Sequence, residues 1–447
     1  MSDLLAARGQ MAMSLAFHIV FAAVGIAMPF LMAVSEWRWL RSRDPVWLEL
    51  TRRWAKGTAI FFAVGAVSGT VLSFELGLLW PGFMAHAGPI IGMPFSLEGF
   101  AFFLEAIFLG IYLYGWDRVP PRAHWLAGVV VAASGALSGV FVVTANAWMN
   151  TPAGFDVVDG RAVNVDPVAA MLNPAAFQQT LHMTIAAYQA VGFAVAGVHA
   201  LGLLREPRNL FHRRAFALAL TVGGTAAVLQ PVSGDVSAKQ VARWQPVKLA
   251  AMEAQWETQR GAPLRIGGWP DEEAETTRWA AEIPRGLSFL ATGDFDGEVR
   301  GLTSVPREDR PPVAIVHLAF QLMVACGLFM AAVAALGAVL AWRRRRLPDD
   351  PAFLRLVVLA APLGFLAIEA GWVVTEVGRQ PWIIHGVLRT ADAVTPMPGL
   401  VVPFAAFTLL YLVLAGIVIV LMRRQVFASP VFLREPSGEG RPARRPA

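Results

Sequence analysis

The sequence is short of charge and of cysteine. Only 15% of its 447 residues are Asp, Glu, Lys or Arg, whereas a soluble domain carries about 25%. The single cysteine, Cys326, lies in an apolar run, which excludes a disulfide framework and a cysteine-ligated metal site. The net charge is +5, but the basic residues stand in short clusters between apolar runs. This spacing indicates membrane topology and argues against a nucleic-acid partner.

Apolar residues make up 56% of the chain, and the mean hydropathy is +0.53. A membrane-spanning helix needs about 20 mostly apolar residues. The sequence therefore predicts an all-α polytopic membrane protein, and the first run, which contains a histidine and is long enough to span, is not expected to be a cleaved signal. The nine predicted spans are 11–34, 55–80, 94–115, 124–148, 176–203, 213–231, 312–341, 353–376 and 399–422.

Basic residues mark alternate loops between these spans. They cluster after the odd-numbered spans, whereas the loops after the second, fourth and eighth spans are poorer in Lys and Arg. Because cytoplasmic loops carry the excess of Lys and Arg, the N-terminus is predicted outside and the C-terminus in the cytoplasm of a bacterial inner membrane. The clusters are Arg38 to Lys56, Arg118 and Arg122, Arg205 to Arg214, Arg343 to Arg346, and Arg423 with Arg424.

The chain divides into four predicted parts. Residues 1–231 hold the first six spans, and residues 312–428 hold the last three. Between them, residues 232–311 form a long polar segment on the outer face, of a length that is usually functional or disordered. Residues 429–447 are rich in Pro, Gly and Arg and predict a disordered cytoplasmic tail.

Four residues of the types that ligate haem iron lie in the outer half of the predicted bilayer. His18, His182 and Met323 belong to spans that begin at the outer face, and Glu376 ends the eighth span, which returns to that face. Histidine is the common axial ligand of haem, and a His–Met pair favours a low-spin centre. An isolated His or Met in a membrane helix is more often a packing residue, so these residues alone only suggest haem. No Cys-x-x-Cys-His motif indicates covalent attachment.

Two acids lie on the third predicted span. Glu98 and Glu105 are seven residues apart, which places both carboxyl groups on one helix face. Acids within a membrane are costly and are functional candidates, here for a proton relay. The alternative is hydrogen bonding between helices by protonated carboxyl groups. Glu75 and Glu369 are further embedded acids for which the structural and functional interpretations are equally weighted.

The polar segment contains an amphipathic helical pattern around Lys248 and Glu253. Both charges stand beside apolar Leu249, Met252 and Trp256. A lysine and a glutamate at the membrane surface could bind a quinol headgroup and accept its protons. The alternative is an ordinary surface helix with a weak ion pair.

In six segments the chain resembles subunit I of the cytochrome bd quinol oxidases, over essentially its whole length. The segment GWVVTEVGRQPW and the loop sequence KLAAMEAQWET are the most specific signals. The others are RGQMAMSLAFHIVF, SLEGFAFFLEAIFLGIYLYGWDR, VVTANAWMNTPAG and QTLHMTIAAY.

The resemblance implies three haems: a low-spin haem b, a high-spin haem b and a haem d, whose place another haem b can take. His182 and Met323 would be the axial pair of the low-spin haem. His18 and Glu376 would each hold one of the other two, with the assignment of haem d left open. The remaining implied roles are proton delivery for Glu98 and Glu105, quinol binding for Lys248 and Glu253, packing on the haems for Trp372, and a propionate contact for Arg379.

The resemblance also implies a function and partners. Quinol would be oxidised at the outer face and dioxygen reduced to water, which would generate a membrane potential without pumping. The expected partners are a second membrane subunit and a very small single-helix subunit. Familiar members carry an Arg two residues before the ligating Met, whereas this chain has Gln321. That departure keeps open a haem electron-transfer protein with another donor or without oxygen reduction.

A proton-coupled transporter is a further alternative, because paired embedded glutamates occur in that class too. Transporters often show inverted repeats and broken helices. The sequence pattern shows neither, and the His and Met residues would be left without a role.

Overall fold

The computed structural model describes residues 1–158 and 161–427. Within them, nine helices are long and apolar enough to cross a membrane, which confirms the all-α polytopic fold. The helices are α1 Asp3–Ser42, α2 Pro45–Leu79, α3 Pro81–Tyr114, α4 Pro121–Asn150, α6 Ala176–Arg205, α7 Leu210–Trp244, α10 Val313–Arg344, the pair α11 Pro351–Ala360 and α12 Leu363–Val377, and α14 Val401–Gln425.

Short elements fill the connections. The helices are α5 Pro167–Met171, α8 Pro246–Met252, α9 Gly286–Thr292 and α13 Thr390–Ala393, and two 3-10 turns span Leu302–Ser304 and Arg307–Asp309. Five two-stranded antiparallel sheets pair β1 Asp156–Val158 with β2 Arg161–Val163, β3 Gln259–Arg260 with β8 Glu298–Val299, β4 Leu264–Ile266 with β7 Ala281–Ile283, β5 Trp269–Asp271 with β6 Thr276–Arg278, and β9 Trp382–Ile384 with β10 Leu388–Arg389.

Several helices begin where the sequence places a proline. Helices α2, α3, α4 and α11 each have proline in the first turn, where its missing N–H costs nothing. Asp44 and Asp350 cap α2 and α11 by accepting hydrogen bonds from backbone N–H groups. The starts of these helices are therefore specified locally, before tertiary packing acts.

The long polar segment begins later than predicted. The sequence interpretation ended the sixth span at residue 231, but α7 continues to Trp244. Its last turns carry polar residues that favour helix, and Lys239 donates to Asp235 at 2.6 Å, one turn away. Helix α3 likewise begins at Pro81 rather than at residue 94 and contains Pro89 and Pro94. The apolar pattern therefore identified the most hydrophobic part of each helix, not its full length.

The eighth predicted span is not one continuous helix. Helix α11 ends at Ala360, and α12 starts at Leu363 after a turn that contains Pro362. Proline lacks the N–H needed to continue the ladder and clashes with the preceding turn. The sequence interpretation found no broken helix, and in this span it was wrong.

Helix α1 lies centrally and packs on α2, α4, α6 and α14. Helices α6 and α7 cross where Gly192 faces Gly223, and a Cβ on either glycine would clash with the backbone of the other helix. In contrast, α3 and α14 expose large apolar side chains, such as Phe100, Phe103 and Leu412. These outward apolar faces are those expected of a membrane protein.

The long connections, residues 151–175, 245–312 and 378–400, gather at one end of the bundle, which we call the loop end. Lys248 of α8 contacts the last residue of α4 there, and Asp3 at the start of α1 accepts from the Leu400 N–H at the start of α14. The Thr395 N–H donates to the carbonyl of Leu79, the last residue of α2. The predicted tail at 429–447 lies outside the described residues, as does residue 428.

Candidate functional site

Three helices that carry predicted ligands pack around one apolar cluster. Ile19 of α1, Ala187 of α6 and Ile368 of α12 are buried together. Met183 and Trp372 pack against the same cluster, so residues adjacent to His18 and His182, and one helical turn from Glu376, meet there. The fold therefore brings the His18, His182 and Glu376 regions into a single neighbourhood.

His18 projects from α1 toward α2. Its Nδ1 lies 2.9 Å from the Ser68 hydroxyl, and a Cβ added to Gly69 would stand 3.0 Å from its Cε1. Among the described residues, no hydrogen bond is recorded for Nε2. A hydrogen bond on one nitrogen with the other free is the usual arrangement of a metal-binding histidine. His18 lies about four turns into α1, deeper than the two turns expected from the predicted start at residue 11.

His182 is held by α7. Its Nδ1 lies 3.1 Å from the Ser233 hydroxyl, and the Gln230 amide lies 3.2 Å from Nε2. A Cβ on Gly234 would lie 3.7 Å from the ring, so the helix surface beside His182 is free of bulk. The same Gln230 amide is also 3.4 Å from Nδ1, so it lies beside both ring nitrogens and is not aligned with Nε2 alone.

Met323 points from α10 to α12. A Cβ on Gly371 would lie 3.1 Å from the Met323 sulfur, so the absence of a side chain at residue 371 gives the thioether its place. Gly371 immediately precedes Trp372, whose indole Nε1 is buried and has no hydrogen-bond partner. The Met323 sulfur thus lies against the middle of α12, next to the position of Trp372.

Glu376 is held at both carboxylate oxygens. The Asn146 amide donates to Oε1 at 2.5 Å, and the Arg379 guanidinium donates to Oε2 at 2.5 Å. Arg379 is buried, and its Nη1 has no hydrogen-bond partner. An unpaired guanidinium nitrogen in a buried site is suited to a carboxylate ligand such as a propionate.

A chain of hydrogen bonds joins Glu376 to the loop. The Lys248 amine donates to Asn150 Oδ1 at 2.6 Å and to the Thr375 carbonyl at 3.2 Å. Asn150 Nδ2 in turn donates to Asn146 Oδ1 at 3.2 Å. The sequence Lys248, Asn150, Asn146, Glu376 is therefore continuous, and it crosses from α8 through the end of α4 to the end of α12.

Lys248 and Glu253, the two charged residues predicted to bind quinol, are buried rather than displayed on a surface helix. Burial lowers the pKa of Lys248 well below its usual range. Burial also raises the pKa of Glu253 to about 7, although the charge of Arg265 acts in the opposite direction. Helix α8 ends at Met252, before Glu253, and the Lys248 amine is directed to Asn150 and the Thr375 carbonyl instead. The alternative of a surface helix with an ion pair is therefore wrong for this segment.

The acids of α3 face α4 and α1. The Ser138 hydroxyl donates to Glu98 at 3.1 Å, and Glu105 lies beside Gly135 and Gly25, where an added Cβ would be 3.3 and 3.7 Å from its carboxyl group. Their shared helix face is confirmed. Of the acids left open, Glu75 accepts from Gln10 at 2.9 Å, and Glu369 keeps one buried oxygen without a partner.

These observations fit haem. The described residues contain no group of three or more His, Cys, Asp or Glu side chains that could hold a bare metal ion. They do contain separate His, Met and Glu donors, glycines beside the donor side chains, and orphaned polar atoms on Trp372 and Arg379. Isolated axial donors next to bulk-free helix surfaces suit a planar macrocycle, which needs one or two axial ligands.

A family model described as cytochrome bd terminal oxidase subunit I matches residues 6–430. The chain belongs to this family. The putative cytochrome bd menaquinol oxidase subunit I of Bacillus subtilis is 38% identical over 94% of this chain and 95% of its own length. The cytochrome bd-II ubiquinol oxidase subunit 1 of Escherichia coli is 30% identical over 86% of this chain and 88% of its own.

A solved structure of a bd oxidase has the same fold as this chain. The bd oxidase from Geobacillus thermodenitrificans superposes with a TM-score of 0.88 at 39% identity, covering 95% of this chain and 99% of that one. Membership of the subunit I family implies quinol oxidation and oxygen reduction, haem cofactors and a place in a multi-subunit membrane complex. The residues that perform each step in this chain remain predictions.

Sequence reasoning missed several residues of the site. Asn146 and Asn150 join Lys248 to Glu376, and Arg265 acts on Glu253. His385 is a further one: its Nδ1 is buried without a partner, and burial together with Lys248 and Arg379 lowers its pKa to about 4. The two asparagines stand one helical turn apart at the end of an apolar run, a signal that could have been found. The position of Arg265 depends on how the loop folds, so the sequence around Arg265 does not indicate its role.

Proposed function

We propose that this chain is the haem-carrying subunit of a terminal oxidase that oxidises quinol at the loop end and reduces dioxygen to water. The hydrogen-bond chain from Lys248 through Asn150 and Asn146 to Glu376 is the observation that carries this proposal. It connects the loop motif assigned to quinol with the residue assigned to haem iron. A purely structural loop would have no need of a buried lysine at the start of that chain.

Three haems are proposed for the bundle. His182 and Met323 would hold a low-spin haem b. His18 and Glu376 would hold the other two, a high-spin haem b and a haem d or a third haem b. Bound haem supplies the one-electron and oxygen chemistry that no side chain can provide. Arg379 would neutralise a propionate, and Trp372 would pack against the haem pair.

Lys248 and Glu253 are proposed to bind the quinol and to move its protons. The Lys248 amine can donate a hydrogen bond to a quinol oxygen from its buried position. Glu253 has one buried oxygen without a partner and a pKa raised to about 7 by burial. A base with such a pKa accepts a proton efficiently near neutral pH. Together they orient the headgroup and withdraw its hydroxyl protons.

Protons for oxygen reduction are proposed to reach the haems along α3. Glu105 and Glu98 lie on one stripe, with Ser138 donating to Glu98. From the positive-inside rule we propose that the loop end lies on the outer face of a bacterial inner membrane, with the N-terminus outside and the C-terminus inside. Proton release outside and uptake from inside would generate a membrane potential without a pump.

The exposed apolar faces of α3 and α14 support contact with lipid and with other subunits. The proposed partners are a second membrane subunit and a very small subunit with a single helix. Phe103 is 64% exposed and Leu409 is 65% exposed in the isolated chain, and side chains of this kind are covered in a membrane complex.

One preparation tests the proposal. The assembled complex in purified membranes should show b-type and chlorin bands in a reduced-minus-oxidised spectrum, together with quinol-driven oxygen uptake. Haem without oxygen uptake would favour the electron-transfer alternative, and a preparation without haem would overturn the oxidase and leave the transporter.

The quinol assignment has its own test. Glu253→Gln should lower the rate of quinol oxidation by about 100-fold, because general-base catalysis contributes about 10²–10⁴-fold. Glu257→Gln is the matched control, since Glu257 is exposed four residues further along the same loop. Equal rates for the wild type and both variants would remove Glu253 from the quinol site.

A further inference from the structure

Two side chains of α10, one helical turn apart, form hydrogen bonds with the backbone of the polar segment between α7 and α10. His317 is fully buried, and its Nδ1 lies 2.8 Å from the Met252 carbonyl while its Nε2 lies 3.0 Å from the Gly267 carbonyl. Gln321 donates to the Arg265 carbonyl at 3.0 Å and accepts from the Gly267 N–H at 3.1 Å. We call this contact the α10 clasp. It fixes the loop at two separate points, the end of α8 and the end of β4.

The clasp fixes the main chain of Arg265, and the side chain of Arg265 then reaches back to α8. Its Nη1 donates to Gln255 Oε1 at 2.7 Å and to the Ala254 carbonyl at 3.3 Å. Ala254 and Gln255 directly follow Glu253 in the chain. Its Nε donates to Glu282 at 3.0 Å, which orients the guanidinium plane from the other side. A cation is therefore held rigidly next to the turn that carries Glu253.

Among the charged groups near Glu253, Arg265 is the one whose charge affects the pKa of Glu253. Lys248 lies on α8, which ends just before Glu253, but its amine donates to Asn150 and to the Thr375 carbonyl. His317 approaches from α10 and binds the carbonyl of the preceding residue, Met252. Glu282 is paired with Arg265 itself. Arg265 opposes the effect of burial on the pKa of Glu253, as a nearby opposite charge must.

We propose that Arg265 is a positioning residue of the quinol site, and that the α10 clasp holds it where it favours the ionised form of Glu253. This inference rests on the proposed role of Glu253 as the base for quinol. Arg265 touches neither quinol nor haem in this proposal. It acts by setting the fraction of Glu253 that is ready to accept a proton at a given pH.

The test is the pH profile of quinol oxidation by the assembled complex, with duroquinol as the donor and oxygen uptake as the readout. Ionised Glu253 accepts the proton, so the rate should fall on the acid side of the profile. Arg265→Gln removes the cation and should shift this acid limb upward by about 1 pH unit. Arg265→Lys keeps a charge and should retain most of the wild-type profile. Arg278→Gln is the matched control, because Arg278 is an exposed arginine of the same loop paired with Asp271.

Gln321→Ala provides a second variant in which Arg265 itself is unchanged. It should move the acid limb in the same direction by a smaller amount and raise the KM for duroquinol more than it lowers kcat. The reduced-minus-oxidised spectrum of each variant should match that of the wild type, which shows that the complex is assembled.

The outcomes separate this inference from the proposed function. If Glu253→Gln lowers the rate but the profiles of Arg265→Gln and Gln321→Ala coincide with the wild type, Arg265 has no such role and the quinol assignment stands. If Glu253→Gln leaves the rate and profile unchanged, the proposed function of Glu253 has failed. Should Arg265→Gln not assemble, an unshifted acid limb in Gln321→Ala overturns the inference by itself.

Discussion

The Asn146 side chain donates to Glu376 Oε1 at 2.5 Å, although the two residues are 230 positions apart in the chain. Arg379 binds the other oxygen of the same carboxylate. The end of α4 and the end of α12 are thereby tied together at the loop end. A carboxylate held at both oxygens keeps one orientation, which is what an iron ligand requires.

Asn146→Ala and Asn150→Ala should have different effects, because the two asparagines serve opposite ends of one chain. Asn146→Ala releases Glu376, and we expect an altered spectrum of the haem proposed for Glu376, with the low-spin signal unchanged. Asn150→Ala releases Lys248, and we expect a KM for quinol that rises about tenfold, since a hydrogen bond to a charged group contributes about 1.5–3 kcal/mol. Optical spectra and steady-state oxygen uptake of both variants check this. If the two variants show the same spectrum and the same KM for quinol, Asn146 and Asn150 do not have separate roles.

His182→Ala should remove the low-spin haem signal alone. His182 lies on α6 and contacts Ser233 and Gln230 of α7, and loss of this proposed axial donor should leave the haems proposed for His18 and Glu376 in place. The reduced-minus-oxidised spectrum of the assembled complex measures this directly. His86→Ala is the control, because His86 packs on Phe155 with ring centroids 5.8 Å apart and has no assigned role. An unchanged spectrum in His182→Ala would refute the ligand assignment.

Much of the fold was predictable because each span is specified by its own residues. The nine apolar runs, the N-terminal prolines and the capping aspartates act locally, and the nine predicted spans correspond to nine candidate spanning helices in the described residues. Helix ends were less predictable. The last turns of α7 are polar, so hydropathy ended the span at 231 although hydrogen bonding and the Asp235–Lys239 pair continue the helix to Trp244.

The candidate site was only partly predictable for a related reason. His18, His182 and Glu376 are conspicuous because polar groups are rare in an apolar helix. Their partners Ser68, Ser233 and Asn146 are ordinary residues for their surroundings, and only tertiary contacts give them a role. For Lys248, the sequence left open a position on a surface helix. Packing instead buries this residue, and its amine donates to Asn150. Sequence therefore indicates the candidate ligands better than it indicates the residues that position them.

Gly371→Ala should disturb the low-spin haem without disturbing the fold. The new Cβ would lie 3.1 Å from the Met323 sulfur, closer than an ordinary contact, so the thioether must shift. We expect a changed reduction potential and a weakened absorbance band for the haem assigned to His182 and Met323, measured by a redox titration. Gly327→Ala on α10 is the matched control, because a Cβ there meets no atom within 4 Å. If the haem has the same reduction potential in Gly371→Ala and Gly327→Ala, Met323 is not a ligand of that haem.

Glu253 should also leave a signature in the pH dependence of stability. Its pKa in the folded chain is about 7, against an ordinary value of 4.5, and burial is the main cause. The folded state therefore binds this proton more tightly than the unfolded state. Between pH 4.5 and about 7, stability falls as the pH rises, because the unfolded state releases the proton first. Above pH 7 the folded state carries the full cost of a buried carboxylate, of the order of 3 kcal/mol.

Glu253→Gln removes this cost, because the amide is neutral at every pH. The variant should be more stable than the wild type above pH 7, and the difference should vanish toward pH 4.5. The measurement is the thermal unfolding midpoint of the solubilised complex, recorded from pH 5 to pH 8 for wild type, Glu253→Gln and the exposed control Glu257→Gln. The control should follow the wild type throughout. A difference between wild type and Glu253→Gln that does not change with pH would show that packing, rather than the charge of Glu253, distinguishes the two proteins.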